Sequence, residues 1–524
     1  MHSAEIVLAL VALGTVGAAF ANRLRIPPPS LLVVAGLLAG VLPGVPAVRV
    51  SPDVVSFVVL PPLLWAATDD LPWRDLRAVW RPVTALAVGL VLASAGAVAA
   101  VLTAMTAIPV ALAFVLGAVL ASTDPVAVSA LARRVSLPPR IQALVQAESL
   151  FNDATSLVLF QIAVSFAVGT SAAAGLGAVL WHGVAQFVLL AGGGVLAGGV
   201  IAAAVIGARS RINDPVLESV IALVAPYAAY VLGESLHVSG VTAVIVAGLV
   251  VGSRRTRIST AASRLQVHAI YQTVIFLLES VVFSLIGLEL PTLVRDLGHP
   301  GPWLLFALVI AATLMITRML WVFPLWAGSQ WRQGRRPSWT IPAVVSWAGT
   351  RGVVPLAAAL SIPLTTASGT PLAQRNLILV LAVTVIVMSL IVQGLTLEPL
   401  VRRTAVARPA ASTRQEEAAA RLRLAEAGVA RIDELATSEE IPDAVIGRMR
   451  RVLDTRIGHA RARLDAGGDD RPELTEREVR RDVIAAENAE LARLYADGDI
   501  SEATRQRLQR TLDLELARFT DGTH

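Results

Sequence analysis

The stretch AESLFNDATSLVLF, residues 147–160, puts Glu148, Asn152 and Asp153 close together inside an apolar run. A charged side chain at mid-bilayer costs between ~3 and ~15 kcal/mol, so these groups must be paired or at work. Residues three or four apart share a helix face. Glu148 then aligns with Asn152, Ser149 with Asp153, and Ser156 continues the stripe, while Leu150, Phe151, Leu157, Val158 and Leu159 lie elsewhere around the helix. Carboxylate, hydroxyl and carbonyl oxygens around a small cavity suit a hard cation, not a thiophilic metal. Asp153 is the candidate exchanging group. Desolvation favours protonation of a carboxylate and a nearby cation opposes it, so one buried acid holds a proton or a metal ion, but not readily both. Competition for a single site couples the two without further machinery. Asn152 and Glu148 read as residues that shape this site. Glu148 needs a counter-charge, and the expected one is Arg351; Glu279 and Arg318 are expected to pair with each other.

Two further segments must meet that helix. AFVLGAVLASTDPVAVSALA carries Ser122-Thr123-Asp124-Pro125 at its centre, and VVSWAGTRGVVPLAAAL carries Gly349-Thr350-Arg351-Gly352, with Pro355 just beyond. Proline removes a donor and clashes with the preceding turn, and paired glycines weaken a helix. Unwound backbone at membrane depth survives only where protein buries it or it lines a wet cavity. Matching breaks in two halves of a chain point to a transport site between inverted repeats. The carbonyls freed near Ser122 and Thr123, with the Thr123 hydroxyl, are the expected partners of the Glu148–Ser156 stripe. Asp124 and Arg351 read as charges offsetting the half-helix termini where the two broken helices cross.

The whole chain fits this setting. It has 524 residues, 55% of them hydrophobic and only 16% charged, with mean hydropathy +0.67, values of a polytopic membrane protein. Residues 1–401 hold 22 Arg and 15 acids, whereas the 123 residues from 402 to 524 hold 22 Arg and 24 acids, so a membrane domain precedes a charged soluble tail. The net charge of +5 gives no hint of nucleic-acid binding. The absence of cysteine excludes disulfides and cysteine-ligated metal, and no cofactor is expected.

Spans of about 20 apolar residues fall at 4–21, 30–45, 53–68, 82–106, 108–132, 141–169, 176–207, 215–235, 239–252, 266–290, 302–327, 338–363 and 376–401. With the N-terminus outside, inner loops carry 17 Arg and outer loops 3, which the positive-inside rule requires. The expected fold is therefore an all-α polytopic membrane protein of about thirteen transmembrane helices. It has inverted repeats (the triplets from 82–169 and 302–401), two unwound crossing helices and a helical cytoplasmic tail. Glu218 and Glu234, near span ends, are expected to reach water. In the tail, breaks are expected at Pro442, Gly467–Asp470 and Asp497–Asp499, with a helix starting at Ser501 and a Leu508, Leu512, Leu516 stripe that packs on a second copy or tunes the pH response.

ESLFND at 148–153, STDP at 122–125 and WAGTRGVVPLAAAL at 347–360 resemble signatures of the NhaP/NHE-type monovalent cation:proton antiporters of bacteria, and the resemblance covers residues 1–401. It implies a homodimer in the plasma membrane, each subunit with dimerisation helices and a mobile core, exchanging one Na⁺ (or Li⁺) for one H⁺. The Asn152-Asp153 pair, in place of two aspartates, implies electroneutral exchange. Asp153 resembles the ion-binding aspartate, Ser149 a direct ligand and Thr123 the ligand from the unwound stretch. Glu148, Asn152 and Arg351 resemble the network that holds the site in shape. One position departs. Many relatives carry an acid in the third span, where LPPLLWAATDD has Ala66, leaving Na⁺ against K⁺ preference open. A K⁺/H⁺ antiporter of the same fold is the nearest alternative. A channel is a further one, and an intramembrane aspartyl protease using Asp124 and Asp153 is remote, since no Gly-x-Gly-Asp signature accompanies either.

Overall fold

Apolar runs broken by prolines, glycines and capping residues give helices throughout. The structure, a computed structural model, describes residues 11–12, 14–17, 27–42, 55–69, 71, 73–124, 138–168, 176–212, 214–297, 301–334, 338–363, 365–366, 370, 372, 374–404, 410–438, 441–465, 483–494, 497, 504–505, 508–509 and 512. Helix α1 is Pro28–Val41; a π-helical turn, Val55–Val59, leads into α2, Leu60–Asp69; and α3, Trp73–Thr84, runs through π-helical Ala85–Leu90 into α4, Val91–Met105. Next come α5, Val110–Ala121; α6, Pro139–Val168; α7, Leu176–Arg209; α8, Pro215–Ser235; α9, Gly240–Ile258; and α10, Ala261–Arg295. Then follow α11, Trp303–Arg332; the short pair α12, Thr340–Trp347, and α13, Val353–Leu360; and α14, Arg375–Arg403.

Seven described helices are long and apolar enough to cross a bilayer: Leu76–Met105, Arg140–Val168, Trp181–Arg209, Pro215–Ser235, Ala262–Arg295, Trp303–Arg332 and Arg375–Arg403. Local chemistry sets the starts of several helices. Asp214 accepts from the N–H groups of Val216 and Leu217, with Pro215 at the first helical position; Ser239 caps α9 and Thr260 caps α10 in the same way.

The chain divides into two compact units, Met1–Ala407 and Arg408–His524. In the first, α7 and α11 keep large apolar side chains such as Trp181, Leu196, Leu304 and Leu320 on the outside, as lipid-facing helices do. Helix α14 has no such free face at its middle, where Ile378 to Val387 are all buried. It packs against α5, α11, α12 and α13, while α5 packs on α4 and α6. This assembly brings the two interrupted segments to the polar face of α6.

Not every embedded charge lies where the sequence suggests. Glu218 does not reach water: it is fully buried, 3.3 Å from Arg209 and accepting a hydrogen bond from Ser263 Oγ at 2.9 Å. Helices α7, α8 and α10 converge there, and no solvent is left to hydrate the carboxylate.

In the second unit, α15, Ala410–Ser438, and α16, Asp443–Asp465, meet antiparallel on either side of Pro442. Asp433 pairs with Arg450 at 3.1 Å and Glu426 with Arg461 at 3.7 Å. Gly467–Asp470, Ser501 and Leu516 lie outside the described residues.

Candidate functional site

Helix α5 stops at Ala121, and Ser122 takes an extended conformation (ψ 143°), so the last carbonyls of α5 lose their intrahelical partners. Helix α6 supplies replacements. Ser156 Oγ donates to Ala118 O at 2.6 Å, and Ser149 Oγ donates to Thr123 O at 2.5 Å. Asn152 Nδ2 donates to Thr123 Oγ1 at 3.3 Å, and Ser122 Oγ donates to Asp153 Oδ1. The stripe Glu148, Ser149, Asn152, Asp153, Ser156 is therefore one buried face turned onto the unwound 122–124 segment. Asp153 is only 6% exposed, and Asn152 Oδ1 is buried with no donor among the described residues.

The second break, 348–352, lies across the first. Asp124 N–H donates to Thr350 O and Thr350 Oγ1 returns a bond to Asp124 O, both at 2.7 Å. Gly352 sits against Asp124 so closely that a Cβ there would stand 1.5 Å from Oδ2, placing the carboxylate at the N-terminus of α13. Arg351 Nη1 donates to Gly349 O at 2.9 Å, just beyond the C-terminus of α12. Each charge thus faces the half-helix end of opposite polarity. At Gly349 a Cβ would lie 2.7 Å from Arg318 Nε, so the backbone passes where no side chain fits.

The partner of Glu148 differs from the one expected. Glu148 is not joined to Arg351, nor Arg318 to Glu279: Arg318 Nη1 and Nη2 grip the two Glu148 carboxylate oxygens at 2.6 and 2.7 Å. Arg318 also donates to Val345 O from Nε and Nη2, at 3.3 and 3.1 Å, so α11 clamps α6 and α12 together. Both members are buried. The bidentate geometry and the extra carbonyl offset the desolvation that a lone buried charge would suffer. Four embedded charges allow two pairings, and nothing in their spacing along the chain distinguishes them.

The structure brings together Asp153, Ser149, Thr123, Asn152, Glu148, Asp124 and Arg351. It adds Ser122 against the carboxylate, Thr350 in the crossing, and Ser389, whose Oγ accepts from Arg351 N–H at 3.0 Å. Ser122 was legible, being the first residue of the STDP break; Ser389 has no sequence signal. Pro125 and the rest of the first interrupted span lie outside the described residues, as do the side chain of Asp69 and all of Asp70. Ala66 is half-buried on α2. Among the described residues no cluster of three His, Cys, Asp or Glu could hold a resident metal.

Chemically, the crossing offers the Asp153 and Asp124 carboxylates, several hydroxyls and the peptide oxygens of the unwound segments, held largely away from solvent. Comparisons with known proteins bear on the chain as a whole. Residues 6–403 match the family described as sodium/hydrogen exchanger, transmembrane. An uncharacterised Na⁺/H⁺ exchanger of Mycobacterium tuberculosis is 33% identical over 98% of this chain and 96% of its own. The low-affinity Na⁺/H⁺ antiporter NhaS1 of Synechocystis is 33% identical over 71% of this chain and 68% of its own. The solved sodium proton antiporter MjNhaP1 of Methanocaldococcus jannaschii shares the fold, with a TM-score of 0.63 at 21% identity over 77% of this chain and 99% of that one. A chain so matched, with a buried acid at the crossing of two interrupted segments, belongs to the sodium/hydrogen exchanger family, a family of transporters and not of enzymes.

Proposed function

We propose that this chain exchanges Na⁺, or Li⁺, for H⁺ one for one across the bacterial plasma membrane, by competition at Asp153. The single observation that carries the reading is the setting of that carboxylate: nearly sealed from solvent, bonded by Ser122, and flanked by the unwound 122–124 segment. A desolvated carboxylate stays charged only beside a cation. Na⁺ arriving therefore drives the proton off, and a proton arriving displaces Na⁺. The ligands assigned to Na⁺ are Asp153, Ser149 and Thr123. Ser149 Oγ rests on Thr123 O at 2.5 Å, and rotation of that side chain would release both oxygens together. Asn152, Glu148, Asp124 and Arg351 hold the crossing in shape. With Asn152 beside it, Asp153 is the one ionisable group of the pair, which fits an exchange that moves no net charge.

The accompanying topology is thirteen spans with the N-terminus outside and the tail, residues 402–524, cytoplasmic. The spans within 82–169 and 302–401 form inverted repeats and make the moving core; the remaining helices hold two copies together as a homodimer. Na⁺ is assigned because the two relatives described above are named a Na⁺/H⁺ exchanger and a Na⁺/H⁺ antiporter, and relatives from Bacillus whose names include potassium carry sodium in the name as well.

The test is proton release from acid-loaded vesicles on addition of Na⁺, Li⁺ or K⁺, with and without a potassium-selective ionophore. Na⁺ and Li⁺ drive release at a rate the ionophore does not change, Asp153→Asn abolishes it, and Asp153→Glu keeps part. A K⁺ response exceeding that to Na⁺, or full activity in Asp153→Asn, contradicts the assignment.

A further inference from the structure

We infer that a cavity beside the second break is a binding site for a compact lipophilic organic anion, a monocarboxylate about the size of benzoate, with its carboxylate on Arg351. The cavity measures about 170 Å³ and lies between α11, α14 and the 348–352 break. Its wall is mostly apolar, with Leu314, Met315, Trp347, Val385 and Met388. An apolar cavity of ~150 Å³ takes up benzene, so the volume suits one aromatic ring and little more.

What sets this cavity apart from an ordinary packing gap is its charge. Two arginines line it, and they are not equivalent. Arg318 is satisfied by Glu148 and Val345 O. Arg351, 95% buried by its 5% exposure, makes one side-chain hydrogen bond among the described residues, from Nη1 to Gly349 O, and no salt bridge. Both oxygens of the nearby Glu148 are already held by Arg318. Nε and Nη2 of Arg351 thus stay without a described acceptor on the wall of a void. Gln393 adds a second donor: its Oε1 accepts from Ser389 Oγ, leaving the amide N–H groups to the cavity. A guanidinium in a fixed fork with nothing bidentate to bind is costly when buried, and a carboxylate matches it in charge and shape. The ring would rest on Trp347 and the two methionines. This site lies beside the Asp153 stripe, shares Arg351 with the crossing, and does not depend on the transport reading.

The experiment is thermal unfolding of the purified full chain in detergent, titrated at neutral pH with benzoate, benzyl alcohol or chloride. Benzoate gives a saturable rise in Tm, as a ligand that binds only the folded state must. Benzyl alcohol, with the ring but no charge, and chloride, with charge but no ring, give no saturable rise. Val385→Phe and Val392→Phe, which fill the cavity from its floor and rim, and Arg351→Gln each remove the benzoate response. No saturable benzoate effect, an equal effect of benzyl alcohol or chloride, or an undiminished response in whichever of the three variants fold would overturn the proposal.

Discussion

At the scale of single residues, the Glu148–Arg318 pair explains why an acid and an arginine 170 positions apart can sit in the membrane interior at all. Removing one partner of a buried pair costs about 3–5 kcal/mol, because the survivor is stranded. Glu148→Leu and Arg318→Met are each expected to lower the stability of the purified protein by about that amount. The double substitution should recover most of the loss. A double mutant as unstable as the sum of the singles would show that the two act independently. The polar stripe on α6 could be read from spacing alone, since one helical period puts its members on one face. The pairing could not: Glu148, Glu279, Arg318 and Arg351 are all embedded, and only the packing of α11 against α6 and α12 chooses among them. Glu218 departs from its expected exposure for a related reason. A position near a span end predicts exposure, yet the fold lays Arg209 and Ser263 over it.

At the scale of elements, the two interruptions are where sequence and fold agree most directly. Ser-Thr-Asp-Pro and Gly-Thr-Arg-Gly contain the residues that fail to continue a helix, and the helices stop at Ala121 and Trp347 as those residues require. What spacing could not supply is the contact between them, the reciprocal bonds of Asp124 and Thr350. Gly352 marks how closely they approach. Gly352→Ala puts a methyl where Asp124 Oδ2 now lies, so one break must move off the other. Exchange is expected to fall at least about tenfold, equivalent to ~1.4 kcal/mol at the transition state, in vesicles carrying matched amounts of folded protein. Near-normal exchange in that variant would mean the crossing need not be tight. The same approach accounts for the absence of any side chain at Gly349, where Arg318 passes.

At the scale of the whole molecule, charge density rises after residue 401, and a separate compact unit begins at Arg408. That unit's helices α15 and α16 are joined mainly through exposed ion pairs and small buried residues such as Ala418, Ala425 and Ala460. Exposed pairs of this kind contribute little stability, on the order of 0–1 kcal/mol each. The role proposed for the tail is regulation or assembly rather than transport itself. A chain ending at residue 407 is expected to exchange Na⁺ for H⁺ with an altered pH profile or weakened dimerisation; activity, dimer and profile all unchanged would remove that role.

Whether one carboxylate serves both ions in turn is decided by the Na⁺ dependence of exchange at several pH values in proteoliposomes. If H⁺ and Na⁺ compete for Asp153, lowering the pH on the Na⁺-loading side raises the apparent KM for Na⁺ and leaves the maximal rate at saturating Na⁺ unchanged. A KM that stays constant while the maximal rate falls would place the proton on a different group and contradict the account.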